Sequence, residues 1–270
     1  MKQFNGSEIV RVPKQNHTSK GDQPKWFENG IWYKADYMGY ESLSEVIVSA
    51  VLLKSDIKDF VVYEPCEIFF DGKKLKGCSS RNFKKNNEAI ITLERLHRSY
   101  FGIGLAQKLG SIDGVKERIK YTVDFVADKT GINEFGKYLS VMLTLDALFL
   151  NEDRHTNNIA VIRSETTGEY RLCPYFDNGL SLLSDLNDYP VGSDVFDLFG
   201  KVNAKPFDLS FDEQADAAQA LYGCELRIEL SSHGIDELFN SLDGWYEPQI
   251  LSRAKAVLCE QRRKYSFLFD

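Results

Sequence analysis

Apolar and polar positions alternate through the first third of the chain. Trp26-Phe27-Glu28, then Asn29-Gly30, then Ile31-Trp32-Tyr33-Lys34-Ala35 predicts a β-hairpin, because Asn-Gly supplies the two positive-φ positions of a tight primed turn. Ile68-Phe69-Phe70, Asp71-Gly72 and the run to Cys78 predict a second one. Between them Ser42-Leu43-Ser44-Glu45 fits a capping box, and Leu43, Ile47, Ala50 and Val51 recur at helical spacing. From about Asn87 the period turns helical, and Ile90 to Leu96, Leu105 to Leu109, Val115 to Ala127 and Glu134 to Leu150 are the expected helices. A short β interruption is expected after Asn151, and Phe211 to Leu268 is again mostly helical. Strands first and helices afterwards is an α+β layout. The change of pattern puts a boundary near residue 85, giving domains 1–85 and 86–270. No Gly/Ser-rich or Pro-rich tract marks that boundary, which favours a hinge between lobes over a tether.

Composition narrows the class. The 270 residues are 43% apolar and 27% charged, near the soluble average, so disorder, collagen-like repetition and coiled coil are poor readings. The most apolar stretch, Tyr138 to Leu150, is shorter than the roughly 20 residues of a membrane span and carries Asp146, so a buried helix is expected there. The first residues lack a secretory pattern, and the expected location is cytoplasmic, with no membrane contact. Five cysteines, odd in number and widely spread, read as reduced thiols. A net charge of −7 argues against direct nucleic acid binding.

The chemistry concentrates in Asn151-Glu152-Asp153-Arg154-His155-Thr156-Asn157-Asn158 and in Tyr175-Phe176-Asp177-Asn178-Gly179. Ile159 to Ile162 and Tyr170 to Phe176 read as two strands joined by a polar turn near 167. That register sets residue 158 opposite 176, so Asn158 and Asp177 are expected to meet at the open end, roughly 5 Å apart. An amide oxygen and a carboxylate at that spacing suit Mg²⁺. Asp153, in the loop before them, can orient or accept a hydroxyl proton, which completes a phosphoryl-transfer arrangement. A local ion pair at Asp-Arg-His and an ordinary turn at Asp177-Asn178-Gly179 are the plain alternatives. His155 reads as structural. Lys34, on a largely apolar strand, must find an anion or snorkel outward, and Glu45 is its candidate partner. The polar segment His17 to Lys25 can offer backbone N–H groups, with Gly21 and Lys25, to phosphate oxygens, although it is not a P-loop. No Gly-x-Ser-x-Gly elbow supports a serine hydrolase, and His17, His97, His155 and His233 lack the close spacing of zinc motifs.

Asp153-Arg154-His155-x-x-Asn158 and Pro174-Tyr175-Phe176-Asp177-Asn178-Gly179 resemble the motifs of the HipA-like bacterial protein kinases, including the smaller CtkA-type members. The likeness is weaker at Gly21-Asp22-Gln23-Pro24-Lys25 and at Tyr33-Lys34-Ala35. It implies a bilobal protein-kinase-like fold, with a small, mostly β N-lobe and a larger, mostly helical C-lobe. It further implies an ATP- and Mg²⁺-dependent serine/threonine kinase with Asp153 as catalytic base and Asn158 and Asp177 as metal ligands. Lys34 would bind the α/β-phosphates, Glu45 would orient it, and Asn82 and Phe83 of the linker would meet adenine. A protein acceptor, an antitoxin-type partner and self-modification at Thr18 or Ser19 also follow from the resemblance. The Asp-Arg-His-x-x-Asn signature is similar to that of the phosphoinositide kinases, although the acidic balance does not favour anionic bilayers. A pseudokinase or nucleotide-binding module is the competing reading.

Overall fold

A computed structural model describes residues 2–9 and 23–270. The chain falls into two compact units, one comprising Met1–Phe83, Phe176–Lys201 and Arg227–Asp270, the other Lys84–Tyr175 and Val202–Leu226.

The first unit is built on a five-stranded sheet in the order β1-β4-β5-β3-β2. Its strands are β1 (Lys2–Asn5), β2 (Lys25–Glu28), β3 (Ile31–Ala35), β4 (Tyr63–Phe70) and β5 (Lys73–Arg81). Both expected hairpins form. Asn29 and Gly30 take φ of 49° and 78°, and Asp71 and Gly72 take 52° and 70°, the left-handed pairs that match the twist of the flanking strands. β1 pairs parallel to β4, while the other neighbours are antiparallel. Phe4, Trp26, Tyr33, Ala35, Cys66 and Ile68 form one buried cluster of this unit.

Helix α1 (Glu41–Leu52) packs on this sheet and is buried over almost its whole length. The expected capping box does not form: α1 has Tyr40 at its N-cap with no side-chain cap, and the Ser42 N–H donates to Asp36 Oδ1 at 2.7 Å. Glu45 faces stronger claimants, described below, and a buried carboxylate goes to the cation. Helices α6 (Val195–Phe199), α8 (Ser232–Ser241) and α9 (Pro248–Lys264) also belong to this unit.

The second unit is mainly helical. It contains α2 (Leu93–Phe101), α3 (Leu105–Leu109), α4 (Val115–Thr130), α5 (Phe135–Phe149) and α7 (Phe211–Tyr222), with a three-stranded sheet of β6 (Glu88–Thr92), β7 (Ala160–Ser164) and β8 (Tyr170–Leu172). The apolar stretch that ends at Leu150 is the buried helix α5, packed against α4 and α7. Among the described residues no helix is long and apolar enough to cross a membrane. The expected helix from Ile90 to Leu96 is instead strand β6 followed by α2. Ile90, Ile91 and Thr92 pair with β7, and Thr92 caps α2 by accepting the Arg95 N–H. All five cysteines are free thiols, with Cys66, Cys78 and Cys173 buried.

Candidate active site

β3 lies between β2 and β5, so Lys34 extends from the interior of the sheet. Its ammonium donates to Glu45 Oε1 at 2.5 Å, Asp177 Oδ1 at 2.8 Å and the Tyr63 hydroxyl at 3.4 Å. Burial alone would pull this ammonium down. The Asp177 and then the Glu45 carboxylate outweigh it and hold Lys34 well above the usual lysine range, so it stays charged. Glu45 is fully buried, and its second oxygen accepts the Asn178 N–H at 2.9 Å. One helical carboxylate therefore fixes both the lysine and the backbone beside Asp177.

The chain around Asp177 is wound tightly against α1. Asp177, Leu182 and Leu183 all take left-handed φ of 60°, 55° and 61°, a conformation that costs non-glycine residues roughly 1–2 kcal/mol each. Tethers to α1 hold it: the Tyr40 hydroxyl donates to the Leu182 carbonyl at 2.6 Å, and Ser44 Oγ to the Ser181 carbonyl at 2.9 Å. Ser184 Oγ closes the loop on the Gly179 carbonyl at 2.7 Å. A Cβ at Gly179 would sit 3.3 Å from Glu41 Cβ, so glycine permits the close approach.

Ahead of α1, the Glu41 carboxylate accepts the Met38 N–H at 2.7 Å and the Gly39 N–H at 2.9 Å. Asp36, just after the lysine strand, accepts hydrogen bonds from the Ser42 N–H and the Tyr246 hydroxyl. Burial, and then the nearby Glu41 charge, push the Asp36 carboxyl up to about 7 against the pull of those bonds.

In the second unit the loop after α5 is anchored from beneath. Arg154 reaches Asp146 of α5 in a two-pronged pair, Nε to Oδ2 at 3.0 Å and Nη2 to Oδ1 at 3.0 Å, with both side chains almost fully buried. Asn151 Nδ2 donates to Asp146 Oδ1 at 2.9 Å, and Arg154 Nη1 to the Asn158 carbonyl at 3.2 Å. Burial pushes the Asp146 carboxyl up from its ordinary value, against the pull of Arg154 and Asn151. On this base Asn158 Nδ2 donates to the Asp153 backbone carbonyl at 2.8 Å and to Asp153 Oδ2 at 3.2 Å. Lys205 Nζ and His155 Nε2 approach the same carboxylate at 3.7 and 3.8 Å.

The sequence-predicted residues fall into two groups. Lys34, Glu45 and Asp177 are in direct contact in the first unit, and Asp153 and Asn158 are in direct contact in the second. Within the second unit the hairpin forms one residue out of the expected register: Val161 faces Leu172 and Arg163 faces Tyr170, which carries Asn158 level with Tyr175, not residue 176. The cause is a turn closed by Gly168 N–H on the Ser164 carbonyl, centred half a residue earlier than expected. Asn82 Oδ1 accepts from Trp32 Nε1 at 3.4 Å, and the Phe83 ring lies 5.7 Å from that of Phe176. Lys25 opens β2 opposite Lys34. Gly21, Thr18 and Ser19 lie outside the described residues. Sequence reasoning missed the Lys34–Asp177 pair, the Asp146–Arg154 anchor and Lys205. A lone carboxylate in the most apolar helix, eight residues before an arginine, was the available sign of the anchor.

No protein-family model matches this sequence, and no curated protein matches it. Among solved structures the chain is similar to the crystal structure of a Helicobacter pylori proinflammatory kinase, CtkA, with a TM-score of 0.63 and 15% identity over 97% of this chain and 94% of that one. At that identity the likeness is one of fold. The chain has a mixed α+β, kinase-like fold with a β-rich lobe and a helical lobe.

Proposed function

We infer that the protein is an ATP-dependent phosphotransferase that moves the γ-phosphoryl group to a serine or threonine hydroxyl of a protein acceptor. The observation that carries this reading is the buried Lys34 ammonium, kept charged between Glu45 and Asp177. A buried cation with two carboxylates costs desolvation that packing alone does not require, and an anion-binding role explains its retention. In this reading Lys34 binds the α/β-phosphates, Glu45 orients it, and Gly21 and Lys25 cover the phosphates. Asn82 and Phe83 meet the adenine.

Asp153 takes the acceptor proton as the hydroxyl oxygen bonds to the γ-phosphorus and the bond to the β-phosphate oxygen breaks, releasing ADP. Its contacts with Asn158 and Lys205 position the carboxylate. In this reading Asn158 and Asp177 would hold magnesium: the Asn158 amide nitrogen is committed to Asp153, which leaves its oxygen for a hard cation, and Asp177 would supply a carboxylate oxygen. Bound there, the metal would neutralise charge on the phosphates.

A second reading, nucleotide binding without turnover, draws on the Lys34–Asp177 ion pair, in which the phosphate cation occupies the proposed metal ligand. Magnesium-dependent ATP turnover and autophosphorylation by the purified chain separate the two. Transfer that disappears in folded Asp153→Ala and Asp177→Ala variants is the expected result. ATP binding without transfer to the chain itself or to lysate proteins would favour the second reading.

A further inference from the structure

Next to Asp153, wholly within the second unit, lies a cavity of about 340 Å³ lined by Arg118, His155, Thr156 and Lys205 over a floor that includes Leu109 and Pro206. Its lining, among the described residues, holds two permanent cations, Arg118 and Lys205, while the nearest carboxylates, Glu94 and Asp153, stand behind it and are held by Ala106, Thr156 and Asn158. Arg118 is fixed in place, since its Nε donates to the Ile112 carbonyl and its Nη1 to the Phe207 carbonyl, both at 2.8 Å. Those bonds leave Nη2 unspent. His155 also lines the cavity, but its unpartnered Nδ1 lies out of reach of solvent, so the ring contributes shape and no donor to the hollow. Lys205 lines the cavity and also stands 3.7 Å from the Asp153 carboxylate, too far for a hydrogen bond, so its ammonium keeps donors for another anion. The Thr156 hydroxyl is already given to Glu94 at 2.8 Å and adds no competing donor.

Two cationic side chains, Arg118 and Lys205, thus line one hollow beside the proposed base. We propose that this cavity takes an acidic side chain of the polypeptide acceptor, a carboxylate or a phosphorylated hydroxyl, close to the residue that receives the phosphoryl group. The assignment rests on the phosphotransferase reading of Asp153 and adds to it the substrate class. Lys205 links the two functions, since it lines the recognition cavity and stands 3.7 Å from the base carboxylate.

The test is fluorescence anisotropy without nucleotide, using labelled serine peptides that carry Glu, phosphoserine or Ala beside the acceptor. Wild-type protein and Asp153→Asn should bind the Glu or the phosphoserine peptide at least about ten-fold more tightly than the Ala peptide. Comparison of the first two tells carboxylate from phosphate. Because Arg118 also ties two backbone carbonyls, Lys205→Met is the deciding variant: it should abolish most of the preference, and Lys205→Arg should restore it. Equal affinity for all three peptides, or a preference untouched by Lys205→Met, overturns the assignment. A single-stranded oligonucleotide that displaces the acidic peptide at lower concentration also overturns it, in favour of nucleic acid. Adding ATP and magnesium then separates the two claims, since acidic preference in binding with no phosphate transfer supports the cavity and sinks the phosphotransferase reading.

Discussion

The Asp146–Arg154 pair under the loop that carries Asp153 gives the sharpest energetic expectation. Arg154→Met removes the guanidinium and leaves the Asp146 carboxylate buried, with only the Asn151 amide still bonded to it among the contacts described. Breaking a buried ion pair by removing one partner costs about 3–5 kcal/mol, because the remaining charge keeps its desolvation penalty. Against a typical domain stability of about 5–15 kcal/mol, that is a large fraction. Asp146→Leu/Arg154→Met removes both charges and should recover much of the loss. Recovery should stop about 1–3 kcal/mol short of wild type, since the Asn151 amide and the Asn158 carbonyl each lose a partner. The assay is urea unfolding followed by far-ultraviolet circular dichroism. Tryptophan fluorescence would mislead, because Trp26, Trp32 and Trp245 all lie in the other unit. Arg154→Met within 1 kcal/mol of wild type, or a double variant whose loss equals the sum of the single losses, would refute the reasoning.

Other substitutions probe the first unit. Lys34→Met strands the fully buried Glu45 with little more than the Asn178 N–H and should cost about 3 kcal/mol in denaturant unfolding; Lys34→Met/Glu45→Gln should recover part of it. The Asp36 carboxyl sits at about 7 in the folded protein, far above its unfolded value, so its contribution to stability is full below about pH 4, falls between 4 and 7 and is gone above 7. Asp36→Asn should therefore match wild type in thermal melts at pH 4 and exceed it by about 1–3 kcal/mol at pH 8; a constant offset across that range would refute the assignment. A Cβ at Gly77 would lie 2.6 Å from the Lys34 carbonyl oxygen and 2.5 Å from Ile68 Cδ1. Gly77→Ala should cost about 1–3 kcal/mol by overpacking, whereas Gly30→Ala, with open space around it, should lose only about 1 kcal/mol to its left-handed φ in the same melts.

The sequence carries local information well and distant pairing poorly, and particular residues show why. Asn29-Gly30 and Asp71-Gly72 announce their hairpins because the turn geometry depends on two adjacent residues. Tyr138 to Leu150 announces its burial by composition alone. Ile90 to Thr92 deceives because a short apolar run suits helix and strand equally, and only the presence of β7 decides. Ser42-Leu43-Ser44-Glu45 deceives for a related reason: the local cap loses Glu45 to a lysine eleven residues back and to an amide 133 residues ahead. The grouping of Phe176–Lys201 and Arg227–Asp270 with the first sheet depends on such long-range contacts, which periodicity does not encode. At the site, residue types were legible and their partners mostly were not. Lys34 had to find an anion, but nothing near it in sequence points to Asp177.

The knotting of α1 to residues 177–185 through Tyr40, Ser44, Glu45 and Gly39 makes these two stretches one opening unit. Amide protons of α1 and of residues 178–185 should exchange with solvent at one shared free energy, although more than 120 residues separate them. Any ligand that grips Asp177 then slows exchange in α1 by the same factor. The helix thereby registers occupancy at Asp177 through Glu45, and its amides offer a spectroscopic reporter far from that residue in sequence.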